Sequence, residues 1–215
     1  ELRQLENKQW EQITLPHTPF VEPLTVLHQW QGICYYKKKI TITPEEAKKH
    51  IWIEFEGAMH LADVWINGKH VMQHAGGYTP FVVDATGLLK TDKENELLVR
   101  LDNRNNSLIP PGKPLETLDF CYYGGIYRNV HLIAKADVHI THPILDGHPA
   151  GAGIFITYPK VSQELSVVDA KTEIKNTSDK EKVVELRHTL YTWERQKGKD
   201  KKVPVSYTHL TLPTT

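Results

Sequence analysis

The sequence predicts an all-β protein built from antiparallel sandwiches. Hydrophobic residues recur mainly at a period of two, many short strand patterns are separated by turn signals, and helical signals are weak. The clearest strand pattern places Ile51, Ile53 and Phe55 on one face. Glu54 and Glu56 occupy the other face. Such alternation is typical of an antiparallel sheet that packs one side on a core.

A tight hairpin is predicted at Asn67-Gly68, which lies between two strand patterns. This dipeptide is the strongest short-range hairpin signal, because a primed two-residue turn needs positive φ at both positions. Three further alternating segments predict strands: 97–102, 168–175 and 184–190. A single helical turn is expected after Thr43, where Pro44 and two glutamates follow a favourable N-cap residue.

The composition indicates a globular protein without a strongly charged partner. The 215 residues include 26 Lys and Arg against 26 Asp and Glu, so the formal net charge is zero. Binders of nucleic acids and of anionic membranes depend on an excess of basic residues, so neither partner is expected. The hydrophobic content of 40% is too high for a disordered chain. No apolar run approaches the ~18 residues of a membrane-spanning helix.

A change in composition near Ala136 predicts two domains, 1–136 and 137–204. Strands of the first part are rich in Trp and Tyr and its loops in Gly and Pro, whereas the later strands are charged. About 65 residues are few for a sandwich of ~100 residues, so the second domain is expected to be truncated. The segment 205–215 has no charged side chain and resembles a translated sequencing adapter. We expect it to be non-native, with a polar β segment as the alternative.

The sequence does not decide in which cellular compartment the protein works. The chain begins at Glu1 and shows no signal peptide, and we expect an N-terminal part to be missing. A lost signal would direct the protein to the periplasm or outside the cell, whereas its absence would leave it in the cytoplasm. Cys34 and Cys121 are far apart and have no metal-ligand spacing. Whether they form a disulfide is also open.

Four sequence blocks, in order and at sensible spacing, carry a family resemblance. They are Trp10–Pro19, Gly32–Lys38, Phe55–Phe81 and Gly124–Val130. Together they resemble the N-terminal sugar-binding domain of glycoside hydrolase family 2, the β-galactosidase and β-glucuronidase family. The resemblance covers roughly residues 10 to 204.

This resemblance implies a jelly-roll β-sandwich, then an immunoglobulin-like β-sandwich, and then a (β/α)₈ barrel with the two glutamates of a retaining mechanism. Nothing in the sequence resembles the barrel, and retaining chemistry needs two carboxyl groups ~5–5.5 Å apart. We therefore expect an N-terminal fragment of a retaining, β-galactosidase-like β-glycosidase that is inactive by itself. Its expected partners are a terminal β-linked sugar and the missing barrel, and a homo-oligomer is left open. The alternatives are a free-standing carbohydrate-binding module and a purely structural sandwich.

The long polar loop Leu101–Tyr123 is the best candidate for a binding site. Asp and Asn side chains bind vicinal hydroxyls, and aromatic rings stack on the apolar faces of sugars. In the family, a matching loop places an acid against the terminal sugar. The resemblance gives this role to Asp119 and also to Asp102 and Asn103. The alternative is that these side chains satisfy the backbone of their own loop.

Other chemical patterns have simpler structural explanations. Arg128 is suited to clamp a carboxylate but is expected to form a structural ion pair, with Asp63 as a candidate partner. Glu54 and Glu56 are spaced like a glycosidase pair but are expected on a solvated strand face. The chain has 12 histidines, yet none has a recognisable ligand spacing, so no metal and no cofactor is expected. Phosphate loops and serine-hydrolase elbows are absent from the sequence.

Overall fold

The computed structural model describes residues 5, 8–20, 29–148, 152–196 and 199–214. The chain divides into two compact units, Glu1–Ala134 and Lys135–Thr215. Within the described ranges, regular structure is almost entirely strand, and the helical elements are the helix α1, Pro44–Ala47, and a 3₁₀ turn at Leu115–Thr117. The predicted all-β class is confirmed. No helix in the described part of the chain is long and apolar enough to cross a membrane.

The first unit contains two antiparallel sheets that enclose its core. A four-stranded sheet has the order β1-β6-β3-β4, and a three-stranded sheet has the order β5-β2-β7. The strands, in chain order, are β1 Ile33–Ile40, β2 His50–Phe55, β3 Leu61–Ile66, β4 Lys69–Ala75, β5 Phe81–Asp84, β6 Asn95–Asp102 and β7 Val130–Lys135.

The core lies between these sheets and explains the period of two. Phe55 and Val64 are fully buried in one cluster with Leu101, which ends the apolar face of β6. Phe55 stacks on Phe81 with ring centroids 4.5 Å apart. Each such side chain contributes about 1.5–3 kcal/mol through removal from water. Arg100 alternates with the core residues of β6 and therefore lies on the opposite face of the sheet.

The hairpin turn at Asn67-Gly68 and the helical turn after Thr43 both form as predicted. Asn67 and Gly68 have φ values of 51° and 79°, which are the two positive values of a primed hairpin turn between β3 and β4. At α1, the Thr43 hydroxyl accepts a hydrogen bond from the Glu46 backbone N–H. The Thr43 backbone N–H in turn donates to the Glu46 carboxylate at 2.7 Å. This capping box satisfies two backbone donors at the start of the helix.

The second unit consists of three antiparallel strand pairs, β8 with β11, β9 with β10 and β12 with β13. The strands are β8 Val138–Ile140, β9 Ile154–Val161, β10 Ser166–Thr172, β11 Ile174–Asn176, β12 Lys182–Gln196 and β13 Lys199–Thr214. The predicted strand 184–190 lies within β12. The predicted strand 168–175 is divided at Glu173, because its backbone carbonyl and N–H bond to Thr141 and Gly153 instead. Residues 205–214 belong to β13, and their non-native origin stays a prediction.

Candidate functional site

The segment between β6 and β7 is an ordered loop at one end of the first unit. Tyr122 is completely buried and packs with Met59 and Leu115, so it anchors the second half of the loop. The Tyr122 backbone N–H also donates to the Gln29 side-chain oxygen at 2.7 Å. A long segment held in this way presents its remaining side chains in a fixed arrangement, as binding loops on rigid scaffolds do.

Asn103 ties the start of the loop to the segment before β1. Its side-chain oxygen accepts a hydrogen bond from the Gly32 backbone N–H at 2.7 Å, and its amide donates to the Trp30 carbonyl at 2.8 Å. The same amide reaches the Tyr122 carbonyl at 3.5 Å. Asn103 is 1% exposed. The structure therefore places this predicted site residue inside the loop, where it positions the backbone.

Asp102 is buried at the end of β6, and its carboxylate accepts hydrogen bonds from two arginines. Arg104 donates from Nε to one carboxylate oxygen at 2.9 Å and from Nη2 to the other at 2.7 Å. Arg100 donates to the second oxygen at 3.2 Å. Burial alone would raise the pKa of Asp102, but the hydrogen bonds from Arg104 and the two positive charges outweigh it and lower the pKa. The Asp102 carboxylate is thus ionised, and the adjacent guanidinium groups balance its negative charge.

The suggested ion pair between Arg128 and Asp63 is wrong. Asp63 lies opposite Arg100 in the β3–β6 ladder, and Arg100 Nη1 approaches its carboxylate at 3.4 Å. Arg128 precedes β7 in the other sheet, and its Nε atom lies 3.9 Å from the Glu56 carboxylate. Glu56 also lies 3.1 Å from the His131 ring nitrogen. Sheet membership decides these partners, because neighbouring strands bring their side chains within reach of one another.

Asp119 is the predicted site residue that faces solvent. Its carboxylate makes no hydrogen bond or ion pair with the part of the chain that the structure describes. The next residue, Phe120, meets Tyr78 edge to face with ring centroids 5.7 Å apart. Tyr78 also donates its hydroxyl to the Cys121 carbonyl at 3.1 Å. Burial raises the pKa of Tyr78 to about 12, so the hydroxyl remains a donor at neutral pH.

The neighbourhood of Asp119 has the chemistry of a carbohydrate contact. Phe120 and Tyr78 are 42% and 44% exposed, although both are held in place. A carboxylate accepts hydrogen bonds from hydroxyls, and aromatic rings offer an apolar surface to the C–H faces of a sugar. The sequence predicted the aromatic residues of the loop as candidates, but not Tyr78. No local pattern links its loop, between β4 and β5, to Phe120.

The remaining candidate groups do not form a metal or redox centre in the described residues. No cluster of three or more His, Cys, Asp or Glu side chains in that part of the chain is arranged to hold a metal ion. Cys34 and Cys121 are both free thiols, and burial raises the pKa of Cys34 to about 12. A thiol with so high a pKa is a poor nucleophile at neutral pH.

The fold and the loop define a β-sandwich that carries a polar and aromatic loop at one end. A more particular assignment comes from residues 10–136, which match the family described as glycosyl hydrolases family 2, sugar binding domain. The chain belongs to this family. The family prediction made from the four sequence blocks is thereby confirmed.

Curated relatives carry two activity names. The chain is 32% identical over 190 residues to a β-glucuronidase of Formosa agariphila and covers 19% of that protein. It is 34% identical over 177 residues to a β-galactosidase of Thermoanaerobacter pseudethanolicus and covers 24% of it. These matches take in 82% and 80% of the chain, respectively. The chain therefore spans about a fifth to a quarter of the length of these relatives.

A solved structure of Bacteroides uniformis β-glucuronidase is similar to the chain over almost its whole length. The TM-score is 0.71 at 30% sequence identity, and the match covers 96% of this chain and 24% of the other. The similarity supports the same succession of β-sandwich domains that the sequence predicted.

Proposed function

We propose that the chain is the N-terminal part of a retaining β-glycosidase of the β-galactosidase type, and that its sugar-binding domain contacts a terminal β-linked sugar through Asp119. One observation carries the proposal. The Asp119 carboxylate is exposed, has no partner among the described residues and lies directly before Phe120, one member of a fixed aromatic pair. In a chain of this family, that combination suits a polyhydroxylated ligand.

Asp102 and Asn103 support the site from within the protein in this proposal. Their hydrogen-bonding groups are occupied by Arg104, Arg100 and backbone groups, so they hold the loop that presents Asp119. Direct contact of Asp102 or Asn103 with a sugar has less support, because it requires these internal hydrogen bonds to break.

The catalytic glutamates, in this proposal, belong to a barrel further along the same polypeptide. The chain covers about a fifth to a quarter of its curated relatives, and residues 137–204 would be part of the immunoglobulin-like sandwich that precedes such a barrel. We expect the 215-residue chain to bind sugar without hydrolysing it. Release of p-nitrophenol from p-nitrophenyl β-D-galactoside or β-D-glucuronide by the purified chain would contradict this expectation.

The decisive experiment is Asp119→Ala in the full-length enzyme. We expect kcat/KM to fall by about tenfold or more, equivalent to roughly 1.4 kcal/mol of lost transition-state stabilisation. The matched control is Asp92→Ala, which removes another exposed loop carboxylate of the same unit. If both variants fold and have the kcat/KM of the parent enzyme, Asp119 is not a substrate residue.

A free-standing carbohydrate-binding module is the second candidate, because an exposed carboxylate beside two aromatic rings suffices for binding without catalysis. A long sequencing read of the source DNA beyond the codon for Pro204 separates the two candidates. A frame that continues into a (β/α)₈ pattern supports the glycosidase. A genuine stop codon after Thr215 supports the module.

A further inference from the structure

Tyr127 is a half-buried residue that contacts two loops of the first unit at once. It packs against the buried cluster that anchors the loop between β6 and β7, namely Met59, Leu115 and Tyr122. Its hydroxyl donates a hydrogen bond to the Gly77 carbonyl in the loop between β4 and β5. The same side chain therefore connects the two loops that carry Phe120 and Tyr78.

The backbone just before Tyr127 is fixed by its own hydrogen bonds. The Gly125 carbonyl accepts from the Met59 N–H at 3.0 Å, and the Ile126 carbonyl accepts from the His17 N–H at 2.8 Å. The Tyr127 hydroxyl is thus presented from a segment that is already ordered. A donor held in this way loses little further conformational entropy when it makes its hydrogen bond.

Two glycines leave the space in which this hydrogen bond forms. A Cβ atom at Gly57 would lie 2.8 Å from the Tyr127 hydroxyl oxygen, closer than real Cβ atoms approach. A Cβ atom at Gly77 would collide with the Met59 sulphur and lie 3.0 Å from the His60 Cβ. Glycine permits such close approach because it has no side chain. A larger residue at either position would displace the hydroxyl or its acceptor.

The Gly77 carbonyl is important because it belongs to the peptide unit that leads into Tyr78. A peptide unit is planar, so a hydrogen bond that fixes its carbonyl also restrains the Tyr78 nitrogen and Cα. The hydroxyl at the far end of Tyr78 donates to the Cys121 carbonyl at 3.1 Å. Burial raises the pKa of Tyr127, so its hydroxyl keeps its proton and donates at neutral pH. Tyr78 is therefore held at its backbone as well as at the tip of its ring.

We propose that Tyr127 is a positioning residue of the Asp119 site, because its hydrogen bond to Gly77 sets the Tyr78 ring against Phe120. This inference rests on the proposed sugar contact, in which the aromatic pair is the apolar surface offered to the ligand. Tyr127 itself does not touch the sugar. Without its hydroxyl, the Tyr78 ring would have to be ordered when the ligand binds, and this ordering weakens binding.

The first test needs no sugar and uses nuclear magnetic resonance on Tyr127→Phe, which removes the hydroxyl but keeps the ring in its cluster. We expect nuclear Overhauser contacts between the Tyr78 and Phe120 rings to fall by about half or more, because the Tyr78 ring then samples other positions. Tyr36→Phe is the matched control, since it removes a tyrosine hydroxyl that bonds to His17 at 2.9 Å. A general loss of stability would affect both variants. Ring contacts of parental intensity in Tyr127→Phe would overturn the proposal.

The second test measures the dissociation constant of methyl β-D-galactopyranoside from the Phe120 amide resonance. Tyr127→Phe should raise this constant about threefold or more, and Tyr36→Phe should change it less than about twofold. Because Tyr127 acts through Tyr78, adding Tyr127→Phe to Tyr78→Ala should weaken binding less than about twofold further. Parental affinity of Tyr127→Phe, or losses that simply multiply in the double variant, would overturn the positioning role.

The two tests separate this inference from the proposed function on which it rests. If the Phe120 resonance of the parent chain does not shift with sugar, the proposed sugar contact fails. The ring contacts measured without sugar then decide by themselves whether Tyr127 fixes the aromatic pair. If the parent chain binds sugar and Tyr127→Phe binds it equally well, the sugar contact stands and the role of Tyr127 is refuted.

Discussion

Tyr78 and Phe120 come from two different loops and meet edge to face, with ring centroids 5.7 Å apart. The hydroxyl of Tyr78 donates to the carbonyl of Cys121 at 3.1 Å, so the contact is fixed by a ring pair and a hydrogen bond together. This arrangement places a rigid apolar surface next to Asp119. Rigid aromatic side chains lose little conformational entropy when a ligand binds.

The aromatic pair is expected to contribute to sugar binding. Tyr78→Ala should weaken binding of methyl β-D-galactopyranoside at the Asp119 site about fivefold, roughly 1 kcal/mol, as measured by titration of the Phe120 amide resonance. Tyr78→Phe keeps the ring and should change the dissociation constant less than about twofold. Tyr158→Ala in β9 removes another exposed ring and is the control. Equal affinity of the Tyr78→Ala variant and the parent chain would exclude a stacking role.

Asn103 is expected to be a stability determinant of the loop. Asn103→Ala leaves the Gly32 N–H and the Trp30 carbonyl without their partners, which should lower the free energy of unfolding by about 2–4 kcal/mol. Urea unfolding of the chain measures this difference. Asn103→Asp keeps the acceptor for the Gly32 N–H but places a buried carboxylate oxygen against the Trp30 carbonyl, so it should be at least as destabilising as the alanine variant. A loss below about 0.5 kcal/mol for Asn103→Ala would show that the loop does not depend on these bonds.

Asp102 should make stability depend on acid pH. Its pKa in the folded chain is lowered, so its stabilising contribution is fully present above the unfolded pKa of about 3.9 and is lost as the pH falls through the folded pKa. Asp102→Asn should therefore flatten the decline in unfolding free energy below about pH 4. Asp92→Asn, at an exposed loop position, is the matched control. An unchanged acid slope in Asp102→Asn would mean that Arg100 and Arg104 do not stabilise the carboxylate.

The hairpin turn should tolerate Asn but not Ala at position 68. Gly68 has φ of 79°, and no atom lies within 4 Å of the place where its Cβ would be, so the effect is purely one of backbone conformation. We expect Gly68→Ala to lower the free energy of unfolding by about 1 kcal/mol. Gly68→Asn should cost less, because Asn adopts left-handed backbone conformations more readily than Ala. Thermal unfolding of both variants measures the difference, and equal midpoints would contradict the argument.

Local physical rules made several elements predictable. The period of two in β2 and β6 follows from sheet pleating, and the Asn67-Gly68 turn follows from the steric demands of positive φ. The α1 cap depends on Thr43 and Glu46, which are three positions apart. In each case the interacting groups are neighbours along the chain. A short sequence window therefore contained all the information needed.

What the sequence by itself determined is the all-β class, the family and the loop that holds Asp119. Only the tertiary structure decided the roles within that loop. Asn103 and Asp102 are residue types that bind sugars, but their side chains are already hydrogen-bonded to the Trp30 carbonyl and to Arg100. The junction of Tyr78 with Phe120 likewise depends on how two loops meet at one end of the sandwich. Hydrogen-bonding capacity is a property of the residue, whereas its availability depends on which distant groups the fold brings within about 3 Å.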